Sequence, residues 1–197
     1  MTSSDGTFAA RTPTTEEVSS LDPASERHAS TPTRAELDEA ELVRRAQLGS
    51  AAAFEQLVVT RGPSLYRYLA VRLPGEADAR DALQETLISA WQGLPNLRTR
   101  NKFWPWLCGI AANKAADISR GRSHAALPEV DASASDYDLL VVRDAIAALP
   151  EHFRQVLLLR HLLGLSEAEV AEVLGTRIGT VKSRSARARK ALKDLLR

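Results

Sequence analysis

Cysteine is almost missing from this chain of 197 residues, which carries Cys108 alone. A single thiol excludes an internal disulfide and leaves too few thiolates for a structural zinc site, as expected of a reducing compartment. Cys108 reads as a small buried residue rather than a redox sensor. The four histidines, His28, His124, His152 and His161, show no ligand spacing, so no metal is expected. No glycine-rich phosphate loop and no nucleophile partnered by histidine are present, so no cofactor and no enzyme chemistry are expected. No apolar run approaches the roughly 20 residues that a membrane span needs. The N-terminus lacks the basic-then-apolar layout of a signal peptide, and the chain is expected in the cytoplasm without membrane insertion.

What the chain does have is charge, sorted by region. The net charge is only +1, yet residues 177–197 hold eight Lys or Arg against the single acid Asp194. Residues 94–122 hold six Lys or Arg against Asp117 alone, and residues 123–150 hold five acids against Arg143. Blocks of one sign often mark only a solvated face. Two separate basic patches in a near-neutral chain favour two contacts with a polyanion, and nucleic acid is the expected partner class.

The hydrophobic pattern is helical throughout, and the fold class expected is all-α: two small helical domains joined by a flexible linker. Residues 1–34 contain thirteen Ser or Thr and three Pro, a composition that cannot offset the entropy of ordering, and are expected to be a disordered tail. Thr33-Arg34-Ala35-Glu36 reads as a capping box that starts the first helix. Gly62-Pro63 predicts a break or kink in the second, and Pro74-Gly75 a turn before the third. The third helix spans about Glu76 to Gly93 with Ala79, Leu83, Leu87, Ala90 and Trp91 on its buried stripe. The fourth spans about Lys102 to Arg120, with Phe103, Trp106, Leu107, Ile110, Ala111 and Ile118 buried. Pro95 to Asn101 is a polar, basic loop, and residues 121–136 have the composition of a linker.

The C-terminal domain, residues 137–197, opens with a helix from about Tyr137 to Leu149, closed by Pro150. A Leu-rich helix follows from Glu151 to Leu163 and stops at Gly164. Ser166-Glu167-Ala168-Glu169 is another capping box, and the short helix it starts ends at Gly175 before a basic helix through Lys193. Two helices joined by a short turn containing Gly fit a helix-turn-helix, whose second helix enters the DNA major groove. At 100° per residue, Val181, Ser185, Ala188, Leu192 and Leu195 cluster on one side with Ile178 nearby, the side expected to pack. The opposite sector holds Thr180, Ser183, Ala186, Arg187 and Lys190, edged by Lys182 and Lys193. Lys and Arg neutralise phosphates or donate to guanine, Ser bonds several bases, and Ala touches a thymine methyl. A basic surface helix that binds nothing is the bland alternative, which the capped helix and turn before it disfavour.

Asp81, Gln84 and Glu85 lie just before Trp91, and a carboxylate pair at i and i+4 shares one helical face. By itself this reads as a solvated acidic face. Trp104 and Trp106, beside the basic loop, suit either a core or the stacking of single-stranded bases.

Taken together, Asp81-x-x-Gln84-Glu85 with Ala90-Trp91, then Phe103-x-x-Trp106-Leu107-x-x-Ile110-Ala111-x-Asn113, then Gly179-Thr180-Val181-Lys182-Ser183-Arg184 resemble a bacterial RNA polymerase sigma factor of the extracytoplasmic function (ECF) group. The resemblance covers about Ala35 to Arg197. It implies a non-enzymatic initiation factor whose partners are core RNA polymerase, promoter DNA and an anti-sigma factor. Residues 35–120 would then be sigma region 2 and residues 137–197 sigma region 4. Asp81, Gln84 and Glu85 would dock on core polymerase. Asn96, Arg98, Arg100, Asn101, Trp104, Asn113, Lys114 and Asp117 would meet the melted minus-10 element, where a base flipped from its stack has its edge read in a polar pocket. Thr180, Lys182, Ser183, Arg184, Ala186, Arg187 and Lys190 would meet duplex minus-35 DNA. Three departures from the pattern stand out: Gly109 where relatives often have Arg, Pro105 near the start of the fourth helix, and Gly62-Pro63 in a helix that is often continuous. The alternative from another class is a stand-alone helix-turn-helix regulator that binds operator DNA without polymerase, and a third is a helical adaptor that uses the acidic helix.

Overall fold

The computed structural model describes residues 34–121 and 144–196, and every regular element among them is helical. The expected tail and linker lie outside the described residues, apart from Arg34 and Gly121, which are both helical. The start of the helix expected from Tyr137 also lies outside them, and residues 144–148 are helical.

Helix α1 spans Arg34–Gln47 and α2 spans Ala51–Arg72. The chain turns between them at Gly49, whose φ of 93° is left-handed and favours glycine. Ser50 caps α2 by accepting the Ala53 N–H at 3.3 Å. Of the break or kink expected at Gly62-Pro63, the break does not occur: Pro63 lies inside a continuous helix. A proline frees the carbonyl four residues earlier, here that of Val59. Val59 is 69% exposed and Pro63 is exposed, so the disrupted side of the helix faces water.

Helix α3 spans Glu76–Gly93 and buries Ala79, Ala82, Thr86 and Ala90. The Thr86 hydroxyl donates to the Ala82 carbonyl at 2.6 Å, which satisfies a buried polar group within the helix. Trp91, expected on the buried stripe, is instead partly exposed and leans on Phe54 with ring centroids 5.1 Å apart. At Gly93 a Cβ would sit 3.1 Å from Trp106 Cζ2, so the missing side chain is what lets α4 approach. Two short 3-10 turns, Leu94–Asn96 and Arg100–Lys102, lead into α4, Phe103–Gly121. Pro105 falls in the first turn of α4, where its missing N–H costs no helix bond. Phe103, Leu107, Cys108, Ala111, Ala112 and Ala115 form the buried stripe of α4, and Trp106, Ile110 and Ile118, expected there, are half-buried.

Helix α5 spans Glu151–Leu157 and runs into a π-helical turn, Leu158–Leu162. Gly164 follows with a left-handed φ of 71°. Helix α6 spans Glu167–Val173 and α7 spans Ile178–Leu195. The capping box predicted at Ser166 is complete, with the Ser166 hydroxyl accepting from Glu169 N–H and the Glu169 carboxylate accepting from Ser166 N–H. Gly175, φ 58°, makes the turn between α6 and α7. Helices α5 and α6 both pack on α7, where Leu149, Leu157 and Ala188 form a small buried cluster. Helix α4 packs on α6, and one larger cluster runs from Phe103 and Leu107 through Leu159, Leu163 and Leu165 to Val170 and Val181. The buried Arg72 donates to Tyr68 Oη at 2.8 Å and ion-pairs with Glu151 at the start of α5.

Candidate functional site

Helix periodicity sorts the candidate residues onto three surfaces. The first is on α3. Asp81, Gln84 and Glu85 are all exposed, and the next turn of the same stripe carries Ile88, 49% exposed, and Trp91, 38% exposed. Residues three and four apart are neighbours on a helix, so the acidic pair runs directly into an apolar anchor. Carboxylates beside large exposed apolar side chains are a composition suited to a protein partner. Sequence reasoning missed Ile88, although extending the Asp81 stripe by one turn reaches it.

The second surface is the turn between α3 and α4 with the adjoining face of α4. Asn96, Arg98, Arg100, Asn101, Asn113 and Asp117 are exposed, and Trp104 and Lys114 are half-buried. A cleft of about 500 Å³ opens at this surface, lined by Arg98, Thr99, Lys102, Trp106 and Asn113, with Glu172 and Val173 of α6 on its far wall; Arg98 and Asn113 are the candidates among its lining residues, and the other six lie outside it. Its size lies within the roughly 300–1,000 Å³ usual for small-ligand sites. Five of the polar side chains here already have partners. Lys114 Nζ lies 3.2 Å from Glu85 Oε2, joining this surface to the first. Asp117 pairs with Arg120, Lys102 Nζ lies 3.3 Å from Glu172, and Arg100 Nε donates to Gln47 Oε1 at 2.8 Å. Trp104 Nε1 donates to the Leu163 carbonyl at 2.9 Å, and the Arg61 guanidinium sits 4.9 Å from its ring centroid. The indole is thus engaged within the chain on its N–H edge and on one face. Beneath this surface Cys108 is wholly buried, and burial pushes its thiol pKa well up from the usual range.

The third surface is the outer side of α7. Val181, Ser185 and Ala188 are buried, as expected of the packed side. Ile178 and Leu195, placed on or near that side by the helical wheel, are the two end residues of the helix and are 47% and 50% exposed. Lys182, Ser183, Ala186, Arg187 and Lys190 are exposed, and Thr180 and Arg184 half-buried. Among the described residues no ion pair engages Lys182, Arg184, Arg187 or Lys190. The Ser183 hydroxyl donates to the Thr180 carbonyl at 3.0 Å. This cationic helix, presented after a capped helix and a glycine turn, has the form of a major-groove reader. No group of side chains that could hold a metal ion occurs among the described residues, and no helix among them is long and apolar enough to cross a membrane.

One chain thus carries an acidic and apolar helix stripe, a cleft beside a basic turn and a cationic helix that follows a capped helix and a glycine turn. The comparisons make this specific. The family model for sigma-70 region 2 matches residues 57–125, and that for sigma-70 region 4 matches residues 139–192. RNA polymerase sigma-H factor of Pseudomonas aeruginosa is 33% identical over 186 residues, covering 80% of this chain and 95% of that protein. ECF RNA polymerase sigma factor SigC of Mycobacterium tuberculosis is 35% identical over 162 residues, covering 77% of this chain and 87% of that one. Among solved structures, the chain is similar to CnrH in complex with the cytosolic domain of CnrY, with a TM-score of 0.69 and 31% identity, covering 81% of this chain and 97% of that one. It is also similar to the sigma factor RpoE in complex with the anti-sigma factor NepR from Bartonella quintana, with a TM-score of 0.63 and 26% identity, covering 73% and 96% of the two chains. The chain belongs to the sigma-70 family of RNA polymerase sigma factors, in its ECF group. Members of this family are non-enzymatic factors that direct RNA polymerase to promoters, and nothing in the comparisons points to a stand-alone operator-binding regulator.

Proposed function

We propose that the three surfaces divide the work of promoter-directed initiation among themselves, with residues 35–120 as region 2 and residues 137–197 as region 4. Asp81, Gln84 and Glu85, extended by Ile88 and Trp91, dock on core RNA polymerase. Asn96, Arg98, Arg100, Asn101 and Trp104, with Asn113, Lys114 and Asp117 on α4, receive the melted minus-10 element. There an unstacked base is read by polar groups in the cleft. Thr180, Lys182, Ser183, Arg184, Ala186, Arg187 and Lys190 read the duplex minus-35 element, with Lys and Arg contributing phosphate neutralisation as well as base contacts. The chain has no catalytic step of its own and acts in the cytoplasm, where polymerase and chromosome are. An anti-sigma factor that covers these surfaces holds it inactive, a reading supported by the Bartonella relative having been solved with one.

The observation that carries this reading is the continuity of the acidic and apolar stripe on α3. In a stand-alone helix-turn-helix regulator such a stripe would serve pairing with a second copy instead. The test is reconstitution: the purified chain with core polymerase is expected to start transcripts at a defined promoter selected from a library. Changing Asp81, Gln84 and Glu85 together to Ala is expected to abolish capture of core polymerase. Capture that persists undiminished overturns the docking assignment. Tight gel-shift binding by the chain alone, unaffected by core polymerase, overturns the division of labour.

A further inference from the structure

The last residue of α1, Gln47, lies far in sequence from every candidate DNA contact, yet its side chain reaches the middle of the second surface. Its Nε2 donates to the Leu94 carbonyl at 3.1 Å and to the Leu97 carbonyl at 2.7 Å. Its Oε1 accepts from Arg100 Nε at 2.8 Å. One amide therefore grips both ends of the Leu94–Asn96 turn and the first residue of the Arg100–Lys102 turn. Two carbonyl acceptors on one side and a guanidinium donor on the other leave a single orientation for the amide. They also use all three of its functions at this point, two donated hydrogens and one acceptor. Between the gripped points lie Asn96 and Arg98, and Arg98 lines the cleft.

Besides Gln47, the segment is held by Leu94, buried in the core, and by Leu97, half-buried against it, whereas Pro95, Asn96, Arg98, Thr99, Arg100 and Asn101 are exposed. The described backbone bonds across it are local, Leu97 N–H to Leu94 carbonyl and Lys102 N–H to Thr99 carbonyl. A polar turn with so few anchors samples many conformations unless a long-range contact selects one. We propose that Gln47 is a positioning residue for minus-10 recognition: it sets the shape of the 94–100 turn and aims Arg100, without itself touching DNA. This rests on the minus-10 role proposed above for that turn. A residue with a preset side-chain frame reads a base selectively because the ordering cost is met before DNA arrives.

No other common side chain of this length replaces the amide. Glu would keep the contact with Arg100 but set a carboxylate against two carbonyl oxygens, and Met would keep the length and helix propensity with neither donor nor acceptor. The test uses the full chain assembled with core polymerase on a promoter library randomised over both the minus-10 and minus-35 positions, with transcribed members sequenced. Gln47→Met is expected to lower minus-10 base preference about tenfold, leaving minus-35 preference, core polymerase affinity and melting temperature close to wild type. Gln47→Glu is expected to show the same loss, since Arg100 alone does not shape the turn. Minus-10 preference within about twofold of wild type in both variants overturns the inference alone. So does a parallel loss of minus-10 preference, minus-35 preference and melting temperature, which marks Gln47 as merely structural. A wild-type library with no minus-10 preference overturns the underlying role of the turn and the inference with it.

Discussion

The two surfaces proposed to face DNA are built on different terms. On α7 the cations stand free of ion pairs among the described residues, so DNA meets them with nothing to displace except counterions. On the turn before α4 and on α4 itself, Arg100, Lys102, Trp104, Lys114 and Asp117 each already hold a partner from the chain. DNA must trade against those partners. The difference teaches that a bare cationic face gives affinity and salt dependence, whereas an internally satisfied one gives selectivity, because only a ligand with the right groups repays the exchange.

The largest test of this contrast is at Arg187. Replacing it with Ala is expected to weaken minus-35-dependent promoter binding by the assembled polymerase by roughly 1–3 kcal/mol if it reads a base. If it neutralises a phosphate, the slope of log affinity against log salt falls by about 0.9 instead. A salt series of filter-binding measurements separates the two, and no change in either quantity breaks the comparison.

The buried side of α4 sharpens it further. Burial raises the Cys108 pKa in the folded chain, so the thiol contributes stability that is complete below its unfolded value of about 8.5 and is lost as pH rises above it. Unfolding free energy is expected to fall by about 1–2 kcal/mol between pH 8.5 and 10 from this group, before Tyr68, also raised by burial, begins to add. Denaturant titrations of Cys108→Ala should be flatter over that range, and an identical slope would show that the thiol is not protected there.

The smallest effect belongs to Lys102 and Glu172, both well exposed. Glu172→Gln frees Lys102 and is expected to strengthen binding of the assembled polymerase to melted minus-10 DNA about two- to threefold while changing stability by less than about 0.5 kcal/mol. Weaker binding would mean that Glu172 supports the cleft rather than competes with DNA.

How far these features were legible depended on how local their causes are. The capping box at Ser166, the glycine stops at Gly164 and Gly175 and the buried face of α7 at Val181, Ser185 and Ala188 follow from residues within a turn or two of one another, and each appears where the sequence put it. At Pro63 the helix is not broken, and Val59, the residue whose carbonyl the proline frees, is exposed. Trp91 misled because a 3.6-residue period locates a stripe but not its edge, and Phe54 on α2 decides how much of the ring is covered. On α7 Ser183, Ala186, Arg187 and Lys190, which the wheel puts on the outward sector, are exposed. The partners of Trp104 and Lys102 on the C-terminal half, and the grip of Gln47 on the 94–100 turn, carry no local signal at all. They arise from contacts across 47 to 70 positions of chain, which periodicity does not reach.

The pair between Arg72 and Glu151 bears on modularity. The Arg72 guanidinium is 1% exposed and belongs to the segment matched by the region 2 model, whereas Glu151 belongs to the segment matched by the region 4 model. A buried cation without its counter-charge is strongly unfavourable. A fragment ending with α4 would leave Arg72 with Tyr68 Oη as its remaining hydrogen-bond partner among the described residues. The two halves are distinct as families but not electrically self-contained, so a deletion that removes one half also alters the charge balance inside the other.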